Sequence, residues 1–189
     1  MTPGSRLFDS VEGGTDPAEV TGAAERAATL LVRGARESGD EAVVARLVRL
    51  ADDEGIEAIA EVWSGSPADS LAGCLWRLYL LRSWVYAEPV AVARAFEAGR
   101  ARAQVARVVA GVADPPGPDE LKAMVDQVLR GIAEGDLADV LLRAAAFARV
   151  VATGRASLPE STPAEAQRML VLAEQLEAAG HAELGGALD

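Results

Sequence analysis

The stretch SPADSLAGCLWRLYLLRSWVYAE, residues 66–88, decides the fold class. Within it Leu71, Cys74, Leu75, Leu78, Leu81 and Val85 recur at three- and four-residue spacing, which places them along one stripe of a helix. Trp76, Leu80 and Trp84 follow an i, i+4, i+8 spacing and form a second stripe. A helix apolar on nearly every side is either central to a bundle or turns its second face to a partner. Arg77 and Arg82 interrupt the run. It is also shorter than the roughly 20 apolar residues that a membrane crossing requires.

Working outward, the same helical signals repeat along the chain and no segment alternates with the period of a strand. Asp16-Pro17 reads as an N-cap followed by a first helical residue, opening a helix to about Arg36. Helices are expected from Asp40 to Asp52 and from Ile56 to Ser64, with Gly39 and Gly55 as breaks. Gly65-Ser66-Pro67 starts the apolar helix, which runs to about Ala87. Pro89 opens the next helix, expected to reach Val112 with an interruption near Gly99. Asp114-Pro-Pro-Gly-Pro118 is the strongest punctuation in the chain. Beyond it come a helix to Arg130, another from Asp136 to Ala152, and a last one from Ser161-Thr162-Pro163 to Gly180.

These segments make about eight helices and an all-α fold. Residues 1–15 are expected to be a disordered leader and 181–189 a frayed tail. Residues 16–180 form one helical domain with halves 16–113 and 119–180, joined by the proline-rich 114–118.

Residues 56–85 align with 122–151 without a gap at an offset of 66. Val62, Gly65, Leu71, Leu75, Arg77 and Val85 meet Val128, Gly131, Leu137, Leu141, Arg143 and Val151. Each segment is followed by a helix that opens with proline: Pro89 with Arg94, and Pro163 with Arg168. Two similar three-helix units are therefore expected, packed as one compact bundle or as a short helical-repeat array with an extended binding surface.

The run Ser66-Pro-Ala-Asp-Ser-Leu, followed by Leu75-Trp-Arg-Leu-Tyr, resembles alanine-rich conserved hypothetical helical proteins of high-GC bacteria. The resemblance implies a helical fold over most of the chain. That family has no assigned activity, so no site residue follows from it.

Composition excludes several functions. The net charge of −11 disfavours nucleic-acid binding, which depends on clustered Lys and Arg. The charge is uneven, however. Residues 66–112 carry six arginines against three acids, net +3, which leaves −14 on the remainder. The single cysteine, Cys74, permits no internal disulfide and suits a reducing, cytoplasmic setting. It reads as a small core residue, since nothing near it in sequence stabilises a thiolate. His181 is the only histidine, which leaves no material for a His-based metal site or a catalytic triad. Phosphate loops and dinucleotide fingerprints are absent from the sequence.

Two further readings compete with a binding module. Gly135-Asp-Leu-Ala-Asp139-Val-Leu-Leu is similar to the second metal-binding helix of MazG-type all-α nucleotide pyrophosphatases. That similarity implies Mg²⁺ held by Asp136 and Asp139, with Asp126 from the preceding helix, against a nucleoside triphosphate. The residues themselves read as an N-cap (Asp136) and a first-turn acid (Asp139). The acidic group Asp52, Asp53, Glu54, Glu57 and Glu61 reads as a solvated turn. A helical transcriptional regulator is the second competitor, opposed by the acidic character of residues 40–61.

The expectation is a non-enzymatic helical interaction or scaffold protein that needs no cofactor. Its partner is a protein or a second copy of the chain, with neither nucleic acid nor membrane involved. The residues singled out for the interaction are Trp76, Leu80, Trp84, Tyr86, Arg94 and Arg100. Aromatic side chains beside arginine are the composition enriched at interface cores.

Overall fold

The computed structural model describes residues 17–34, 56–102, 117–120, 122–123 and 137–188. Most of these residues are helical and no strand is among them, as the periodicity requires. The helices are α1 (Pro17–Arg33), α2 (Ile56–Val62), α3 (Leu71–Ala87), α4 (Pro89–Arg102), α5 (Leu137–Arg155) and α6 (Pro163–Leu184). Residues 118–120 and 122–123 are also helical.

Local chemistry sets the helix ends. Helix α1 stops at Gly34, whose φ of 70° lies in the left-handed region that suits glycine. Helix α3 starts at Leu71, four residues after the expected Pro67, because Ser70 caps it. The Ser70 backbone is extended and its hydroxyl accepts the Gly73 N–H at 3.1 Å. The Glu25 carboxylate of α1 covers another free N–H of that turn, that of Ala72. Thr162 opens α6 with a capping box: its hydroxyl accepts the Glu165 N–H, and the Glu165 carboxylate accepts the Thr162 N–H at 2.8 Å. Pro89 and Pro163 both stand first in their helices, where a missing N–H costs nothing.

Helix α5 lies deepest. Leu141, Ala144, Phe147, Ala148 and Val151 are fully buried between α4 and α6. Helix α3 packs its first stripe inward: Leu71, Cys74, Leu75, Leu78, Leu81 and Val85 are buried. Trp63, just beyond α2, is fully buried and its indole N–H donates to the Ala24 carbonyl at 3.2 Å, which satisfies the one polar atom it brings into the core.

Two glycines expected to interrupt or end helices do neither. Gly99 is buried inside a continuous α4, and a Cβ there would meet the Val150 carbonyl oxygen at 1.9 Å. Gly154 of α5 is its counterpart, with the Ala95 carbonyl oxygen at 1.7 Å from where a Cβ would stand. The pair lets the α4 and α5 backbones touch, and Phe96 stacks on Phe147 beside them at 5.3 Å. Gly180 likewise lies within α6 against Leu142.

The end of the chain is also more ordered than its composition suggests. Helix α6 runs to Leu184, and Leu188 is buried. Arg33 grips this end with a two-pronged contact to Glu183 and a 2.8 Å hydrogen bond to the Leu188 carbonyl. The leader 1–15, the expected helix from Asp40 to Asp52, and most of the helix ending at Arg130 lie outside the described residues.

Most of residues 122–136, the first part of the second aligned segment, are among these. The described part shows α3 and α5 both beginning at the aligned leucines, Leu71 and Leu137, and both burying the aligned positions 75 and 141. The aligned arginines part company. Arg77 donates to the Gly73 carbonyl and to Gln175, whereas Arg143 pairs with Asp139 one turn back on its own helix.

Candidate functional site

The second stripe of α3 is neither core nor open surface. Trp76 and Trp84 are half-buried and Leu80 is 42% exposed. Antiparallel to them runs the first half of α6, which contributes Met169, Val171 and Leu172. Between the two helices lies an open groove of about 530 Å³ with an apolar floor.

Charged side chains define its two ends. At one end Trp84 is fixed on both sides. Its indole N–H donates to Glu88 at 3.2 Å, and the Arg155 guanidinium stands 4.5 Å over its ring. Arg155 also reaches Glu88 at 3.6 Å, so the three side chains hold one another. Glu165 is at this end too, its carboxylate committed to the capping box. The Thr162 backbone N–H, then its hydroxyl, hold the Glu165 carboxyl below its ordinary pKa.

At the other end Arg77 bonds to neutral groups alone among the described residues: Gln175 at 2.7 Å and the Gly73 carbonyl at 2.8 Å. Burial lowers the pKa of this guanidinium, with Cys74 and Asp69 acting in the opposite direction. Arg168 lines the groove from α6 one turn beyond Glu165, and its charge acts on that carboxylate.

The structure thus gathers Trp76, Leu80 and Trp84 as expected on α3, and adds partners that sequence spacing could not supply. Met169, Leu172, Arg155 and Arg168 lie more than seventy residues from the α3 tryptophans in sequence. Tyr86, Arg94 and Arg100 do not join them. Tyr86 is exposed beyond the groove, with Arg82 at 4.2 Å and Lys122 at 4.7 Å from its ring. Arg94 is on the outer face of α4. Arg100 stands near Phe96 and Glu97, lining a second, polar recess with Gly117, Glu120 and Arg143.

The metal reading finds no support in the side chains on view. Asp139 is exposed and pairs with Arg143 at 3.7 Å, while Asp126 and Asp136 lie outside the described residues. Among the described residues no three His, Cys, Asp or Glu side chains cluster in a way that could hold a metal ion. Of the acidic turn, Glu57 and Glu61 are exposed and the rest is outside the described residues. Cys74 is buried, and its thiol is pushed up to about 12, first by burial and then by the charges of Glu183 and Glu25. That environment suppresses the thiolate and so removes it as a nucleophile. Among the described residues no helix is long and apolar enough to cross a membrane.

No protein-family model, curated protein or solved structure matches the chain.

Proposed function

We propose that the protein is a non-enzymatic helical interaction module, and that the groove between α3 and α6 receives an amphipathic helix of a partner protein. One observation carries this reading: Trp76, Leu80 and Trp84 line an open cleft while their neighbours on α3 form a closed core. Apolar side chains of that size normally withdraw from water, and a helix laid into a groove is a recurrent way to cover them. The floor is apolar and the ends are polar, the usual anatomy of a protein interface. Trp76 and Trp84 are eight residues apart, about 12 Å along the helix, which is two turns of an occupant. The aligned segments 56–85 and 122–151 fit the same reading, because stacked helical units offer extended grooves.

The test uses an alanine-rich helical probe peptide with apolar residues at i, i+4 and i+7. Its binding is followed by the fluorescence of the groove tryptophans. Binding that disappears in Leu80→Glu, with the helical spectrum of the protein unchanged, supports the groove. Binding unaffected by Leu80→Glu places the contact elsewhere and overturns the reading.

A further inference from the structure

We infer that the helix received by the groove is α3 of a second copy of this chain, laid antiparallel about a two-fold axis between Leu80 and Ser83. The inference rests on the docking groove just proposed and names its occupant.

The argument is one of shape. Trp76, Leu80, Ser83 and Ala87 share the side of α3 turned away from its buried stripe. Their spacing of four, three and four residues is that of a helix–helix seam, and none of them carries a charge. Leu80 and Ala87 are exposed, and Trp76 and Ser83 are half-buried. Tyr79 stacks on Trp76 at 5.5 Å and holds its ring in place.

Along this seam the side chains fall in size, from tryptophan and leucine in the first half to serine and alanine in the second. A parallel copy would crowd large against large at one end and leave a void at the other. An antiparallel copy sets Trp76 over the partner's Ala87 and Leu80 over the partner's Ser83. The two-fold then repeats both pairs, as an isologous interface requires. Large side chains facing small ones give the interdigitation of a packed core. The same placement lays each α3 into the groove beside the other copy's α6. Two antiparallel helix pairs then meet as a four-helix arrangement.

The full chain is followed by sedimentation equilibrium at micromolar concentrations, and circular dichroism checks that each variant is folded. The expected result is a reversible shift from 19.6 kDa to twice that mass. Ala87→Trp sets large against large, so it should weaken association about tenfold or more although it adds apolar surface. Adding Trp76→Ala to it should restore association. Ser83→Leu should likewise weaken association, and Leu80→Ser added to it should restore it. The second pair keeps the test open where Trp76→Ala disturbs folding, because neither Leu80 nor Ser83 belongs to the buried core. The probe helix should compete with the dimer.

A chain that stays at 19.6 kDa into the millimolar range overturns the second-copy inference. The groove is then judged by the probe peptide and its Leu80→Glu arm alone. A dimer that keeps its affinity in both Ala87→Trp and Ser83→Leu overturns the inference, as does one that the bound probe helix leaves intact. Failure of both paired variants to recover association overturns the antiparallel register and the inference with it.

Discussion

Replacing Gly154 by alanine tests the close contact between α4 and α5. In an exposed helix interior the change should stabilise by about 1 kcal/mol, because alanine is the better helix former. Here the new methyl would stand 1.7 Å from the Ala95 carbonyl oxygen and 2.9 Å from the Gly99 nitrogen. Both are backbone atoms of α4 and cannot swing aside, so α4 and α5 must separate by more than an ångström. Separation loosens the Phe96–Phe147 stack, worth about 0.5–1.5 kcal/mol, and overpacking of this kind costs about 1–3 kcal/mol. The collision therefore outweighs the propensity gain, and Gly154→Ala should destabilise by about 1–3 kcal/mol. For a chain of this length that is a fall in Tm of about 3–10 °C, read by circular dichroism melts and confirmed by urea titration. Gly22→Ala is the control: it is the same chemical change in α1, where the nearest atom to the new methyl is the mobile Arg26 guanidinium at 3.2 Å. It should hold or raise Tm. A Gly154→Ala protein as stable as the unaltered chain would refute the α4–α5 contact.

The two kinds of tryptophan should separate in the same assay. Trp63→Ala empties a fully buried site and should cost about 3–5 kcal/mol, whereas the half-buried Trp84→Ala should cost about 1–2 kcal/mol; equal losses would mean that Trp84 is core. Thr162→Ala removes the α6 cap and should cost about 1 kcal/mol. Because Glu165 has a lowered pKa in the folded state, its share of the cap is present above the ordinary value of 4.5 and is lost as pH falls through the lower folded value. The stability difference between Thr162→Ala and the unaltered chain should therefore shrink in acid, and a difference that grows there would contradict the capping box. Cys74 should resist alkylation in the native protein at pH 8 and react on unfolding. Its raised pKa means that stability is full below its ordinary value of 9.0 and declines as pH rises towards about 12. Rapid labelling under native conditions would contradict its burial.

What the sequence could and could not show follows from where each determinant lies. Helical class, the proline starts at 89 and 163, and the two stripes of α3 are local in origin, set by spacing and by chemistry within a turn or two. Glycine is where local pattern and structure part. At Gly99 and Gly180 it reads locally as a break, yet tertiary contact uses its missing side chain for close approach of Val150 and Leu142, and the helix continues. The tail departs from its local pattern for a related reason: its small residues look unanchored until Arg33, some 150 residues earlier, binds Glu183 and the Leu188 carbonyl. For the groove, α3 announced its own half through Trp76, Leu80 and Trp84. The α6 half depends on antiparallel packing that no local pattern encodes, and Tyr86, Arg94 and Arg100 are near the tryptophans in sequence alone.

Whether the α3–α6 groove is a docking surface can be read directly by titrating isotope-labelled protein with the alanine-rich helical probe peptide and following backbone amide and indole signals. The expected result is a set of saturable shifts at Trp76, Leu80, Trp84, Arg168, Met169 and Leu172, with the buried Trp63 indole unmoved. Shifts confined to other faces, or none at peptide concentrations in the millimolar range, would contradict it.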